Sequence, residues 1–189
     1  MHWAYITAET TSAVTVIDLR AKKVAANFFV SARPRAAIFS HDDTRAYITS
    51  EIGGAVDVVD AKAHRVLTKI KLGKSDHPVG LVLSPDGKRL YAATGRGNSV
   101  AIIDTAANRF VKTIPVGNRP WGIAITPDGT KLYTANGLSN DVSVIDVATE
   151  RVVKTIKAGD GPWGISVLNV LPLKRHPAVN LHRASALLN

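Results

Sequence analysis

The chain of 189 residues contains no cysteine. This absence excludes disulfide bonds, thiolate metal sites and a cysteine nucleophile. Long hydrophobic runs are also missing, and the longest fall far short of the ~20 residues that a membrane-spanning helix needs. The residues after Met1 show no basic region, no long apolar stretch and no small-residue cleavage site. We therefore predict neither a membrane span nor a secretory signal in this chain.

The composition is that of a globular protein with excess positive charge. Hydrophobic residues make up 46% of the chain, the formal net charge is +9 and the pI is near 10.0. Such a charge is compatible with nucleic acid or with other anionic partners. The sequence has no basic helix and no basic patch interleaved with aromatic residues, so we do not expect it to bind nucleic acid.

An internal repeat dominates the sequence. Tyrosine, aspartate and proline each recur at spacings of 42 or 44 residues, at Tyr5, Tyr47, Tyr91 and Tyr133, at Asp18, Asp60, Asp104 and Asp146, and at Pro34, Pro78, Pro120 and Pro162. Each unit contains four short β-rich runs separated by turn formers, with no helical period. A period of this length with four strands per unit is typical of a β-propeller blade.

Residues 1–168 are therefore predicted to form an all-β propeller. We predict full blades over 34–73, 78–117 and 120–159, a partial blade over 3–30, and the first strand of another blade over 162–168. The three strands at the front and the one at the back could together complete a fourth blade. Residues 169–189 do not continue the repeat and are predicted to be a loosely ordered tail.

The repeats resemble those of YVTN-family β-propeller proteins, which combine a Pro-x-Gly strand, a Ser-Pro-Asp-Gly turn, a Tyr-Val-Thr-Asn strand and a Val-Ile-Asp strand. Matching segments are His77-Pro78-Val79-Gly80, Arg119-Pro120-Trp121-Gly122, Gly161-Pro162-Trp163-Gly164, Ser84-Pro85-Asp86-Gly87, Thr126-Pro127-Asp128-Gly129, Tyr5-Ile6-Thr7-Ala8, Tyr47-Ile48-Thr49-Ser50, Tyr91-Ala92-Ala93-Thr94 and Tyr133-Thr134-Ala135-Asn136. Residues 93–100 and 133–137 are most similar to the subgroup associated with PQQ-dependent catabolism. The unit from Pro34 departs from the pattern, with Arg35-Ala36 in place of x-Gly and Ser40-His41-Asp42-Asp43 in place of the turn.

The resemblance implies a ring of seven blades, which requires roughly 290 residues at this repeat length. We therefore expect the chain to be a partial copy, truncated at the front and read into unrelated sequence at the back. The alternatives are a true four-bladed ring, an open arc, or two chains that pair into a larger ring. Unpaired blade edges favour self-association.

The loops between blades and the loops between second and third strands share one face of a propeller, around its central channel. We predict that a small anionic ligand or a protein partner binds there, and the candidate residues are Arg35, His77, Arg96, Asn98, Arg119, Trp121 and Trp163. The alternative is that these residues are solvated or serve packing alone. No catalytic constellation, cofactor site or metal motif is visible. The repeated aspartates are expected to accept backbone N–H bonds in the turns that follow them.

Two classes of function follow from these observations. The expected one is a non-enzymatic binding or scaffold propeller without a cofactor; the resemblance implies an exported, periplasmic protein linked to PQQ-dependent alcohol catabolism. The alternative is a propeller enzyme or a fragment of one, either lactonase-like or of the quinoprotein or haem type. An enzyme should contain a blade that breaks the repeat with polar residues directed towards the channel.

Overall fold

The computed structural model of the protein describes residues 2–168. Within this range the fold is all-β, as predicted, with fifteen strands and one short 3-10 helix at Gly95–Gly97. The predicted tail, residues 169–189, lies outside the described residues. No helix in the described range is long and apolar enough to cross a membrane.

The strands form four antiparallel sheets, each following the order of the chain. Blade 1 consists of β1 (Trp3–Ala8), β2 (Ala13–Asp18) and β3 (Lys23–Phe29). Blade 2 consists of β4 (Pro34–Phe39), β5 (Arg45–Ser50), β6 (Ala55–Asp60) and β7 (Arg65–Lys71). Blade 3 consists of β8 (Leu81–Leu83), β9 (Arg89–Ala93), β10 (Ser99–Asp104) and β11 (Arg109–Pro115). Blade 4 consists of β12 (Pro120–Ile125), β13 (Lys131–Asn136), β14 (Asp141–Asp146) and β15 (Arg151–Lys157).

The first strands of blades 2 to 4 contact one another in turn, β4 with β8 and β8 with β12, and β1 of blade 1 contacts β4. A twisted sheet has two apolar faces, and stacking buries each face that meets a neighbouring sheet. Ile48 lies in the core between blades 1 and 2, Ile103 in the core between blades 2 and 3, and Ile145 in the core between blades 3 and 4. Each of these side chains is fully buried, which contributes roughly 1.5–3 kcal/mol.

The four sheets form an open arc within residues 2–168. β1 pairs with β2 alone, so blade 1 has three strands. Residues 162–168, predicted as a first strand, form no strand in the structure. The physical reason is that a first strand needs a second strand beside it, and no strand of the described range pairs with this segment.

The repeated aspartates accept backbone hydrogen bonds, as predicted. Asp18 Oδ1 accepts from the amides of Arg20 (2.8 Å) and Ala21 (2.9 Å). Asp60 and Asp104 make the same pair of bonds with the residues two and three positions further on. These carboxylates therefore stabilise turns, and nothing about them suggests acid–base chemistry.

The turn between first and second strands is built on a second aspartate. The last residue of this turn has a positive φ. Gly87 (+71°) and Gly129 (+72°) adopt this conformation easily, and Asp43 (58°) adopts it at the same position of blade 2. Hydrogen bonds from the Ser40 hydroxyl and from the amide and hydroxyl of Thr44 lower the pKa of Asp42 from 3.8 to about 2. Blade 2 thus forms the same turn around an aspartate carboxylate, although its sequence is not Pro-Asp-Gly.

The lowered pKa values of the turn aspartates predict that the fold loses stability below pH 4. A hydrogen bond from Lys131 and bonds from Thr149 likewise lower the pKa of Asp146 to about 2. A depressed carboxyl pKa stabilises the folded state above the unfolded value of about 4, and this contribution is lost as pH falls towards 2. We expect the melting temperature to fall across this window, and the Asp42→Asn variant to fall less steeply. An identical pH profile for the variant would contradict this account.

Candidate functional site

A buried carboxylate organises the loops at the channel face of blade 2. Asp57 on β6 is fully buried and accepts three hydrogen bonds, from the Ser31 amide (3.0 Å), the Ser31 hydroxyl (2.9 Å) and the Ser50 hydroxyl (2.7 Å). Ser31 belongs to the loop between blades 1 and 2, and Ser50 ends β5. Asp57 therefore joins the two loops that carry Arg33 and Glu51.

Two arginines and two glutamates form an ion-pair cluster that includes Arg33 and Glu51 of these loops. Arg33 Nε lies 3.0 Å from Glu9 Oε2 and 3.4 Å from Glu51 Oε2. Arg35 pairs through Nη1 with Glu9, and its Nε lies 3.7 Å from Glu51 Oε2. The side chains of Arg35 and Glu51 are only 15% and 10% exposed, so solvent screens this pair less than an exterior salt bridge.

Arginine and tryptophan side chains stack in a row beside this cluster. The Arg35 guanidinium lies 5.8 Å from the Trp163 ring, the Trp163 and Trp121 rings are 4.2 Å apart, and the Arg119 guanidinium lies 5.9 Å from Trp121. Trp121 also covers Gly137, where an added Cβ would lie 2.2 Å from the indole. The row therefore combines cation–π contacts at both ends with an aromatic pair in the middle.

These groups meet in a cleft of about 350 Å³ on the inner side of the arc. Its lining comes from the end of β1, from the first strands of blades 2 to 4 and from the segment after β15: Glu9, Arg35, Ala36, Val79, Gly80, Leu81, Trp121, Gly122, Ile123, Trp163, Gly164 and Ile165. The floor is apolar, and the polar groups are one carboxylate and one guanidinium. Such a cleft can bind a small ring-shaped ligand, with Arg35 as donor to an oxygen and Glu9 as proton acceptor.

The structure brings some of the predicted site residues together and separates others. Arg35, Trp121 and Trp163 line the cleft, and Arg119 lies against Trp121. Asn98 supports Arg119 from outside the cleft, because its Oδ1 accepts the Arg119 amide at 2.8 Å.

His77 and Arg96 do not line the cleft. His77 lies behind Glu51, and its Nδ1 donates to the Glu51 carbonyl oxygen at 3.1 Å. Arg96 is exposed on the short helix Gly95–Gly97 and forms no ion pair within residues 2–168. The placement of these two residues therefore gives no support for direct ligand contact.

The choice of candidates from sequence missed the two glutamates of the cluster. Glu9 and Glu51 occupy the same repeat position, which is glycine in blades 3 and 4, at Gly95 and Gly137. A signal was available, because a position that is acidic in two blades and glycine in two others breaks the repeat. In the described range, no group of three or more His, Asp or Glu residues could hold a metal ion.

Radially stacked antiparallel sheets, three of them four-stranded and one three-stranded here, define a β-propeller protein. The model of one propeller family, described as lactonase, 7-bladed beta-propeller, matches residues 22–162. The match covers most of the chain, and the chain therefore belongs to this family. A search of the curated proteins found no match.

Many solved structures are similar to the chain, and two of them are described here. Kuenenia stuttgartiensis hydrazine synthase matches with a TM-score of 0.78 and 30% identity over 82% of this chain and 46% of that one. A Bacteroides fragilis protein assigned as a 6-phosphogluconolactonase matches with a TM-score of 0.75 and 23% identity over 89% of this chain and 55% of that one. The chain spans about half the length of both structures, and the second likeness concerns the fold alone.

The family match corrects the functional prediction. A non-enzymatic binding or scaffold propeller was expected, and that expectation is wrong because the matching family is one of lactonases. The lactonase-like enzyme given as the alternative agrees with the match. The prediction failed because it weighed the similarity of the repeats more heavily than the differences between their loops.

Proposed function

We propose that the chain carries the binding cleft of a lactonase-like hydrolase that opens a small sugar-derived lactone. The observation that carries the proposal is the lactonase family match over residues 22–162, which includes three of the four sheets around the cleft. The cleft adds supporting chemistry, since a carboxylate, a guanidinium and two indoles face one space of suitable size.

The cleft suits a lactone ring for two reasons. The half-exposed indole of Trp163, paired with Trp121, offers a flat surface on which the C–H bonds of a sugar ring can pack. Arg35 is held by Glu9 and Glu51, and its planar guanidinium can donate to a carbonyl or to an anionic substituent. A small anionic ligand at the channel mouth is thus retained from the sequence-based prediction, now as a substrate.

The reaction needs only water. Water adds to the lactone carbonyl carbon, the bond between this carbon and the ring oxygen breaks, and a hydroxy acid leaves with release of one proton. We assign Glu9 to accept the proton of the attacking water and Arg35 to stabilise the negative charge that develops on the carbonyl oxygen. Both residues line the cleft, and they are already paired with each other.

Replacing Arg35 with alanine tests the assignment. We expect kcat/KM for lactone hydrolysis to fall roughly 100-fold, which is typical for the loss of one donor to a developing oxyanion. Proton release at constant pH is measured with gluconolactone and with 6-phosphogluconolactone, after subtraction of spontaneous hydrolysis. No rate above the protein-free rate with either lactone would reject the proposed function.

Arg96→Ala is the matched control for this experiment. Arg96 is an exposed arginine on the same face, outside the cleft, and its replacement should leave kcat/KM unchanged. Equal losses in the Arg35 and Arg96 variants would point to the general positive charge of the face and would contradict a specific role for Arg35.

We also propose that the repeats are of the YVTN type within this family. The threonine of the Tyr-x-Thr motif has a defined use in two blades. Thr49 Oγ1 donates to the Val79 carbonyl of the next blade at 2.6 Å, and Thr7 Oγ1 donates to the Arg35 carbonyl at 3.1 Å. The motif threonine thus links successive blades, which supports a repeat subtype defined by it.

A further inference from the structure

A second cleft lies between blades 2 and 3, at the end of the blades opposite to the candidate functional site. Its volume is about 360 Å³, and small-molecule sites span roughly 300–1,000 Å³. Its walls are the turn between β4 and β5, the turn between β8 and β9, and the turn after β10. Among the described residues, none lines both clefts. The polar side chains of the second cleft are those of His41, Asp42, Arg45, Tyr47, Asp86 and Thr105.

Arg45 lacks the ion pair that blades 3 and 4 form at its repeat position. It lies opposite Asp60 in the strand register, as Arg89 lies opposite Asp104 in blade 3. Arg89 Nη1 donates to Asp104 Oδ2 at 2.6 Å, and a lysine forms the same pair in blade 4. Arg45 Nη1 instead reaches blade 3, where the Thr105 carbonyl oxygen lies at 3.3 Å. Its guanidinium therefore has no carboxylate partner within residues 2–168 and lines the second cleft.

Two further positions of this cleft break the repeat. His41 replaces the proline that blades 3 and 4 have in the same turn, and its Nε2 donates to the Ser84 carbonyl oxygen at 2.9 Å. Thr105 replaces Val147 of blade 4, which packs against the apolar core between blades 3 and 4. The interface between blades 2 and 3 is thus more polar than the next one, and its irregular positions converge on one space.

The second cleft offers both donors and acceptors to a ligand. Arg45 is a donor, and so is the Tyr47 hydroxyl: burial raises the pKa of Tyr47, and although the neighbouring Arg45 guanidinium opposes this rise, the phenol stays protonated. The turn hydrogen bonds of Asp42 and Asp86 all go to Oδ1. Oδ2 of each carboxylate is left to accept from a ligand, with Lys88 Nζ at 4.0 Å from that of Asp86.

This combination of charges disfavours a simple ion. An anion attracted by Arg45 would also meet the carboxylates of Asp42 and Asp86, and a cation attracted by these carboxylates would meet the guanidinium. The hydroxyl groups of a neutral sugar both donate and accept hydrogen bonds. A sugar can therefore satisfy the carboxylates and the guanidinium together without placing a like charge beside either.

We propose that the second cleft binds a neutral hexose. The sugar hydroxyls accept hydrogen bonds from Arg45 and Tyr47, and they donate to Oδ2 of Asp42 and of Asp86. His41 is a further acceptor, because its Nε2 proton is used by the Ser84 carbonyl and Nδ1 is left with a lone pair. The site lies apart from the candidate functional cleft, so this binding does not depend on lactone hydrolysis.

Titration of the full chain with D-glucose, D-galactose and D-mannose, followed by protein NMR, tests the proposal. At least one hexose should bind saturably, with a Kd at or below about 1 mM. The amino sugar and the uronic acid of that hexose add a positive or a negative charge to the same ring, and both should bind more weakly. No saturable binding of the three hexoses, or equal or tighter binding of a charged derivative, would overturn the proposal.

Variants of the second cleft test the residues assigned to it. Arg45→Met keeps an aliphatic stem and removes the guanidinium, so it should raise the Kd at least about tenfold. His41→Pro restores the residue that the chain itself has in this turn of blades 3 and 4, so the variant should fold and raise the Kd roughly threefold. Arg151→Met, at an exposed arginine of blade 4 outside the cleft, should leave the Kd unchanged.

The Arg35→Ala variant distinguishes the two clefts. Arg35 lines the candidate functional cleft alone, so its replacement should leave the Kd for the hexose unchanged. Wild-type affinity in Arg45→Met would contradict the proposal. A loss of affinity in Arg35→Ala that Arg45→Met does not share would mean that the hexose occupies the candidate functional cleft, and it would overturn the second site while leaving the proposed lactonase activity intact.

Discussion

Asp57→Ala should lower the free energy of unfolding by about 4 kcal/mol, since each buried polar group left without a partner costs roughly 1–3 kcal/mol. The carboxylate is fully buried and accepts the Ser31 amide and the hydroxyls of Ser31 and Ser50. Its removal leaves these donors in a cavity and releases the two loops beneath the ion-pair cluster. Urea unfolding followed by circular dichroism measures the change.

Thr15→Ala is the control, because Thr15 has the same repeat position in blade 1. Its hydroxyl donates to Asn27 Oδ1 in an exposed contact, so its loss should change stability by less than about 0.5 kcal/mol. Asp57→Asn keeps the shape and one acceptor and should lie between the two. A loss below about 1 kcal/mol in Asp57→Ala would mean that the cost of burying the charge cancels its hydrogen bonds.

The architecture could be predicted because it depends on what the repeats share. Alternating Val and Ile residues bury the faces at which neighbouring sheets meet, and one aspartate per blade closes the turn after the third strand. The same logic failed for residues 162–168, whose sequence favours a strand that forms only when a second strand is beside it. Strand formation there is decided by a neighbour that local sequence does not encode.

The candidate site depends on what the repeats do not share. Asp57 has Thr15, Ala101 and Ser143 at its position in the other blades, and Arg35 has Val79, Trp121 and Trp163 at its position. The sequence-based prediction weighed charged loop residues and therefore selected Arg96, which is solvated. Comparison of equivalent positions would have directed attention to Glu9, whose carboxylate lines the cleft.

The function could not be predicted from the fold, because propellers support many activities on one architecture. Regular blades suggested a scaffold, yet the cleft lies where irregular positions from different blades converge. Glu9 comes from blade 1, Arg35 from blade 2 and Trp121 from blade 4. Convergence across blades is a property of the assembled arc, so no single repeat contains the site.

Blades 3 and 4 approach each other closely at Gly80, and replacement of this glycine is the second prediction with a large effect. We expect Gly80→Ala to lower the free energy of unfolding by about 3 kcal/mol, at the upper end for added bulk in a packed core. The new Cβ would lie 2.4 Å from the Trp121 carbonyl oxygen, which already accepts the Gly80 amide at 3.0 Å. The contacted atom is backbone, so β12 must move as a whole.

Gly159→Ala separates this clash from the general effect of replacing glycine. Gly159 has no heavy atom within 4 Å of an added Cβ, so alanine there should be neutral or stabilise the fold by up to about 1 kcal/mol through the unfolded chain. Displacement of β12 must also move Trp121 relative to Trp163. Gly80→Ala should therefore change tryptophan fluorescence in the folded state, and Gly159→Ala should not. Equal stability of the two variants would show that blades 3 and 4 can separate at little cost. Their shared core argues against this, because it buries four isoleucines and Leu132.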